Sequence, residues 1–237
     1  MASDDHRVPD VEWVALKSAF VEYPKGDMIG RVLAYICLSP ILIFSGFVTL
    51  ILFRRDLHTV LFFVGVVGNE FVNLILKHLI AQPRPDHRST GMIDYGMPSG
   101  HSQFIWFFAA YVAYFVFVRL HHINNNTTLE YFWKTTIVFG SFFVAILTSI
   151  GRVYLQYHTW QQVACGMLLG IVNGSIWFAL VHFAFTPYFP YIASWRISEF
   201  MLLRDTTLIP NVLWFEYTNA MRESRTRGRK LVSMKSQ

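Results

Sequence analysis

The sequence predicts an all-α protein, a polytopic transmembrane helical bundle, and three observations lead there. Hydrophobic residues fill 54% of the 237 positions and charged residues only 15%, against roughly 25% charged in an average soluble domain. Five apolar stretches approach or exceed the roughly 20 residues that carry a helix across a bilayer. Inside a bilayer the backbone has no water to bond, so a helix, which pairs its own peptide groups, is the expected form of each stretch.

The elements follow in chain order. Residues 1–29 form an N-terminal segment in which Asp4, Asp5, Asp10, Lys17 and Lys25 are spread out, unlike a cleavable leader with a short charged head and an early apolar core. The first apolar stretch is therefore expected to be a retained anchor. Residues 30–186 form the membrane-embedded domain, with spans expected near 30–53, 57–79, 102–120, 133–151 and 161–186. Residues 187–237 form an interfacial segment and a basic tail. Pro187, Pro190 and Pro210 interrupt it too often for a sixth span, and Trp195, Trp214 and Phe215 suit a membrane interface. Arg222, Arg225, Arg227, Arg229 and Lys230 form a basic run, read as a solvated, flexible end or as a membrane-surface contact. The lipid bilayer is the expected partner and nucleic acid is not. The sequence does not specify an oligomeric state. Cys37 and Cys165 both fall within spans, where a thiol behaves as a small hydrophobe, and no Cys/His spacing fits a zinc site.

Five spans place the loops at 80–101 and 152–160 on one face together with the N-terminus, and the 54–56 turn, the 121–132 loop and the tail on the other. The first face carries 8 Lys and Arg residues and the second 12. The positive-inside rule then makes the tail cytoplasmic and the two loops non-cytoplasmic. Asn125 and Asn126 each begin an Asn-x-Thr acceptor pattern, which runs against this orientation; such patterns arise easily in an Asn/Thr-rich loop, and neither residue is expected to be glycosylated.

Three short segments on that first face carry phosphate chemistry. Lys77 closes the second span, and Arg84 follows between Pro83 and Pro85, which stop the helix and hold the loop extended. A single cation beside a span commonly does no more than snorkel. Pro98-Ser99-Gly100-His101 immediately precedes the third span, so Ser99 and Gly100 stand at a helix N-terminus whose N–H groups favour an anion. Arg152 ends the fourth span and His158 opens the fifth, with Gln162 four residues on, hence on the same helical face. Each segment alone has an ordinary structural reading; in one predicted layer they point together to a phosphate site. Glu70 and Asn73 share a helical face with Lys77, and are read either as a hydrogen bond between helices or as support for Lys77.

At these positions the patterns KxxxxxxRP, PSGH and RxxxxxH resemble the type 2 phosphatidic acid phosphatase superfamily, related to vanadium haloperoxidases. The stretches VEYPKGD, GMPSGHSQFIWFF, RVYLQYHTW and RDTTLIPNVLWFEYT are similar to those of dolichyldiphosphatases. The resemblance implies an endoplasmic reticulum enzyme, its site facing the lumen, that removes the terminal phosphate of dolichyl diphosphate and so recycles dolichol for N-glycosylation. It implies His158 as nucleophile through a phosphohistidine, His101 as general acid and base, and Lys77, Arg84, Ser99, Gly100 and Arg152 as phosphate-binding groups. No cofactor and no metal are expected, since three fixed cations take the charge-neutralising role. The alternatives are another lipid phosphate as substrate (phosphatidic acid, sphingosine phosphate, another polyprenyl diphosphate) or a transporter that only binds. Two positions depart from the superfamily pattern: Gly151 stands where a Ser usually precedes the Arg, and Gln162 where an Asp usually orients the nucleophilic His. A Gln carbonyl still accepts an imidazole N–H, but carries no charge to stabilise an imidazolium; Asp94 is a conceivable substitute.

Overall fold

A computed structural model describes residues 13–15, 21–85, 95–119, 127–209 and 212–235. Asp94, Asn125 and Asn126 lie outside the described residues. Two short antiparallel strands, β1 (Trp13–Ala15) and β2 (Glu22–Pro24), precede the helices. The rest is helical, with five helical segments long and apolar enough to cross a membrane, so the expected fold class holds.

The first span is not one helix. It comprises α1 (Met28–Ile36) and α2 (Ser39–Arg54), broken at Cys37–Leu38. Pro40 falls in the first turn of α2, where its missing N–H costs nothing, but a continuous helix would need that N–H to bond Ile36. Asp27 starts α1 by accepting the Ile29 N–H at 2.9 Å, and Asp56 starts α3 (Leu57–Ile80) by accepting that of Thr59 at 3.1 Å. Ala81, at φ 48, ends α3.

The third span is α4 (Gly100–Tyr114), continued by a π-helical turn over Phe115–Arg119. The fourth, α5 (Thr127–Tyr154), begins six residues earlier than the apolar stretch suggests. Its first turns hold a Glu130–Lys134 pair at 2.7 Å, with Lys134 buried, an i,i+4 pairing that lets charged residues extend a helix. The fifth, α6 (Trp160–Ala179), runs on through a π-helical turn (Leu180–Phe185) and short helices to Ala193, seven residues beyond the expected end. The tail is also helical: the basic run lies on α7 (Val212–Lys235).

Helix α4 occupies the centre. Phe104 and Phe107 pack with Phe47 of α2 and Val66 of α3, while Ile105 and Ala109 meet Ala145 of α5. In lipid there is no hydrophobic drive between helices, so close backbone approach has to hold them. Gly166, Gly170 and Gly174 of α6 provide it, one turn apart: a Cβ at Gly166 would lie 2.6 Å from the Ser99 carbonyl oxygen, and one at Gly174 2.8 Å from that of Phe107. Large apolar side chains point outward instead, Phe53, Phe71, Phe139 and Phe183 among them, as expected where the surrounding solvent is lipid.

The two ends of the bundle differ. At one end Arg204 bonds its N–H to the Arg55 carbonyl at 2.8 Å and its carbonyl accepts the Leu57 N–H at 3.0 Å, locking the segment that follows the fifth span to the α2–α3 turn. Arg119 bonds Thr186 and Thr207 at the same end. At the other, the β2 backbone N–H of Glu22 reaches the Tyr157 hydroxyl at 2.9 Å, and Tyr154 donates to Asp27 at 2.9 Å.

Candidate active site

The end that carries the β-hairpin also gathers the three motif segments. Lys77 lies half-buried in the last turn of α3, and the chain then runs extended through Pro83 to a half-buried Arg84. Ser99 is the N-cap of α4, with Gly100 and His101 as its first two residues. Arg152 lies in the last turn of α5, and His158 is two residues before α6. His101 is within electrostatic range of Arg152, His158, Lys77 and Arg84, so one layer holds all of them.

Several features suit the binding of an anion. Ser99 is fully buried, yet its hydroxyl does not cap the helix and has no hydrogen-bond partner among the described residues. A Ser N-cap ordinarily satisfies an N–H of its own helix; here the Oγ is left for something else, beside first-turn N–H groups that no helix can pair internally. The Ser99 N–H itself is tied to the Gln162 carbonyl at 3.1 Å, which fixes the turn. Arg152 is buried, its Nε has no hydrogen-bond partner among the described residues, and its guanidinium lies 4.1 Å from the centroid of the Tyr157 ring. That cation–π contact holds the charge without consuming its donors.

Gln162 settles which nitrogen of His158 is available. Its Nε2 donates to the Pro83 carbonyl at 3.0 Å, and its Oε1 accepts the Thr159 N–H at 3.3 Å as part of a capping box. Those two bonds fix the orientation of the amide, so the group 3.2 Å from His158 Nδ1 is an oxygen. Nδ1 must therefore carry the proton, and Nε2 keeps its lone pair. Burial pushes the imidazole down to about 3; the positive charges of Arg152 and Arg84 add to this, the Gln162 bond opposes it, and Lys77 adds a little. His158 is thus neutral across the physiological range.

A carboxylate at 162 favours imidazolium and raises this value. Gln162→Glu keeps the reach of the side chain and should lift the His158 pKa by roughly 1–3 units. A nucleophile must be neutral, so the acidic limb of the activity profile should move to higher pH by that amount while the basic limb stays in place. A pH–rate series on both proteins checks this; an acidic limb that stays fixed or moves down would show that Gln162 does not act on His158.

Some of the site was not expected from sequence. The ring of Tyr157 carries Arg152, and its hydroxyl ties the β-hairpin to it; Tyr157 stands in the motif stretch, but no spacing rule singles it out. Gly151 faces α1 and Cys37 rather than the cradle: a Cβ there would come within 2.9 Å of Cys37 Sγ, so a Ser at 151 requires the Cys37 thiol to move. Asn73 donates across helices to Gln103 and the Pro98 carbonyl. Glu70 is half-buried within electrostatic range of Lys77.

Comparison with known proteins agrees with this geometry. The family model described as the PAP2 superfamily matches residues 58–186, a stretch that contains all three segments. The chain is 49% identical over 234 residues to dolichyldiphosphatase 1 of Rhinolophus ferrumequinum and 47% identical over the same length to that of Homo sapiens, covering 98% of both chains in each pair. The crystal structure of a transmembrane PAP2-type phosphatidylglycerolphosphate phosphatase from Bacillus subtilis shares the fold, with a TM-score of 0.54 at 19% identity over 67% of this chain and 79% of that one. With a family match over more than half its length, joined to full-length similarity of this order, the chain belongs to the PAP2 superfamily and, within it, to the dolichyldiphosphatases.

Proposed function

We propose that this protein is a multi-pass phosphatase of the endoplasmic reticulum membrane that hydrolyses dolichyl diphosphate to dolichyl phosphate and inorganic phosphate. The observation that carries the chemistry is the free Nε2 of a neutral, buried His158 beside Arg152 and the unpartnered Ser99 hydroxyl. The substrate rests on the full-length relatives named dolichyldiphosphatase 1.

Lys77, Arg84 and Arg152 neutralise the terminal phosphoryl oxygens, and Ser99 and the Gly100 N–H bond them. The lone pair of His158 Nε2 attacks the terminal phosphorus. The bond to the bridging oxygen breaks, its electron pair stays on that oxygen, and His101 supplies the proton as dolichyl phosphate leaves. His101 then takes a proton from water, whose oxygen attacks the phosphohistidine. The P–N bond breaks, returning His158 and releasing inorganic phosphate. Gln162 holds the Nδ1 proton through both steps.

The lumenal orientation of the site rests on the Lys/Arg excess at the opposite end, 12 against 8. Dolichyl phosphate released on that face returns to glycan assembly, the sense in which the activity serves N-glycosylation.

Purified protein in detergent should release phosphate from dolichyl diphosphate, faster than from dolichyl monophosphate, and should keep that activity in excess chelator because fixed cations carry the charge. No release from either lipid defeats the phosphatase reading. Activity lost in chelator and restored by magnesium defeats the three-cation mechanism.

A further inference from the structure

Beneath the phosphate cradle, side-chain amides from three helices form one network at spanning depth. Asn73 Nδ2 donates to Gln103 Oε1 at 2.8 Å and to the Pro98 carbonyl at 3.4 Å. Gln103 Nε2 donates to Asn69 Oδ1 at 2.9 Å and to the Asn69 carbonyl at 3.1 Å. Asn173 Nδ2 of α6 reaches the same Asn69 Oδ1 at 3.0 Å. Asn69, Asn73 and Gln103 are all buried.

We infer that Asn73 is a positioning residue for the cradle: by holding the Pro98 carbonyl it sets the Ser99–Gly100–His101 turn at a fixed height against Lys77. Asn73 and Lys77 stand four residues apart on one rigid helix, a rise of about 6 Å. Whatever Asn73 grips is thereby placed relative to the Lys77 charge. The grip is close as well as polar, since a Cβ at Gly100 would lie 3.2 Å from Asn73 Oδ1. From the other side α6 holds the same turn, through the bond from Ser99 N–H to the Gln162 carbonyl at 3.1 Å. The turn is clamped between the helix that bears Lys77 and the helix that follows His158.

Stability alone does not account for this network. Asn69 Nδ2 is buried without a hydrogen-bond partner among the described residues, and an unpaired buried donor costs more than one hydrogen bond between membrane helices returns. Polar groups kept within spans at such a cost are expected to serve the site.

The inference rests on the phosphatase reading, and the test separates the two. Asn73→Leu should lower kcat by about 10–100-fold, as for a displacement of the reacting groups near 1 Å, with little change in KM. It also leaves Gln103 Oε1 unpaired and lowers thermal stability. Adding Gln103→Met removes that orphaned amide and should return the melting temperature toward wild type, while kcat stays low because the Pro98 carbonyl is still not held. Asn173→Leu, which cuts the network far from the turn, should lose stability but keep kcat. Recovery of kcat in the double variant, or a loss of kcat in Asn173→Leu as deep as in Asn73→Leu, overturns the inference. Should the double variant not fold, the comparison of Asn73→Leu with Asn173→Leu decides alone. Wild-type protein that releases no phosphate defeats the phosphatase reading instead. Protection by orthovanadate against thermal unfolding needs no turnover and still reports the cradle: it should weaken in Asn73→Leu and persist in Asn173→Leu, and equal protection in both overturns the inference.

Discussion

His158→Ala is expected to end phosphate release, with a fall on the order of 10⁶ in kcat, as when the nucleophile of a covalent mechanism is deleted. The size follows from the arrangement of the site. Within the cradle the lone pair of His158 is fixed on Nε2 by the Gln162 bond. Lys77, Arg84 and Arg152 are assigned to charge neutralisation, not to attack on phosphorus. Binding should survive, because the cations and the α4 N-terminus remain, so the variant should still take up orthovanadate or substrate. Steady-state phosphate release checks the first part and equilibrium binding the second; turnover within about tenfold of wild type would remove His158 from the role of nucleophile.

The second large effect is at His101. Removing a general acid–base group costs on the order of 10²–10⁴ in rate, roughly 3–5 kcal/mol of barrier. The loss should not divide evenly between the two steps. The group leaving a diphosphate is itself a phosphate, a weak base that departs with little help, whereas attack by water on the phosphohistidine needs its proton removed. His101→Ala should therefore accumulate phosphoenzyme with dolichyl diphosphate. With dolichyl monophosphate the leaving group is a far more basic alkoxide, so formation of the intermediate should itself fail. Rapid-quench comparison of the two lipids checks this; a diphosphate reaction that slows without accumulating phosphoenzyme would place His101 at the first step alone.

The fold and the site were legible in sequence to different depths. Five apolar stretches of spanning length are a one-dimensional signal, and the helices that they announce are present. Their ends are less legible because local chemistry decides them: Pro40 breaks the first span, and the Glu130–Lys134 pair extends the fourth. Pro40 could have been read in advance, being a ring without an N–H inside an apolar run. The stripe of Gly166, Gly170 and Gly174 was equally visible as a four-residue repeat that lets α6 lie against α4.

Within the site, residues linked by helical spacing could be related in advance, as His158 and Gln162 are. Contacts made across the bundle could not. Nothing in the spacing of Asn69, Gln103 and Asn173 shows that they meet, since they lie on three helices separated by up to 104 residues. The stacking of Tyr157 on Arg152 depends on how the chain turns after α5. The departure at Gly151 gains its reason only from the neighbour, because the Cys37 thiol, just after α1, occupies the space that a larger side chain would need.

The central claim is that a phosphoryl group passes through Nε2 of His158. Rapid acid-free quenching of wild-type protein with dolichyl diphosphate labelled in its terminal phosphate, followed by peptide mapping, tests it most directly. The label should appear before inorganic phosphate reaches its steady rate, be stable to base and labile to acid, and sit on His158. Label on another residue, or steady release of phosphate with no covalent label at any time, would contradict the account.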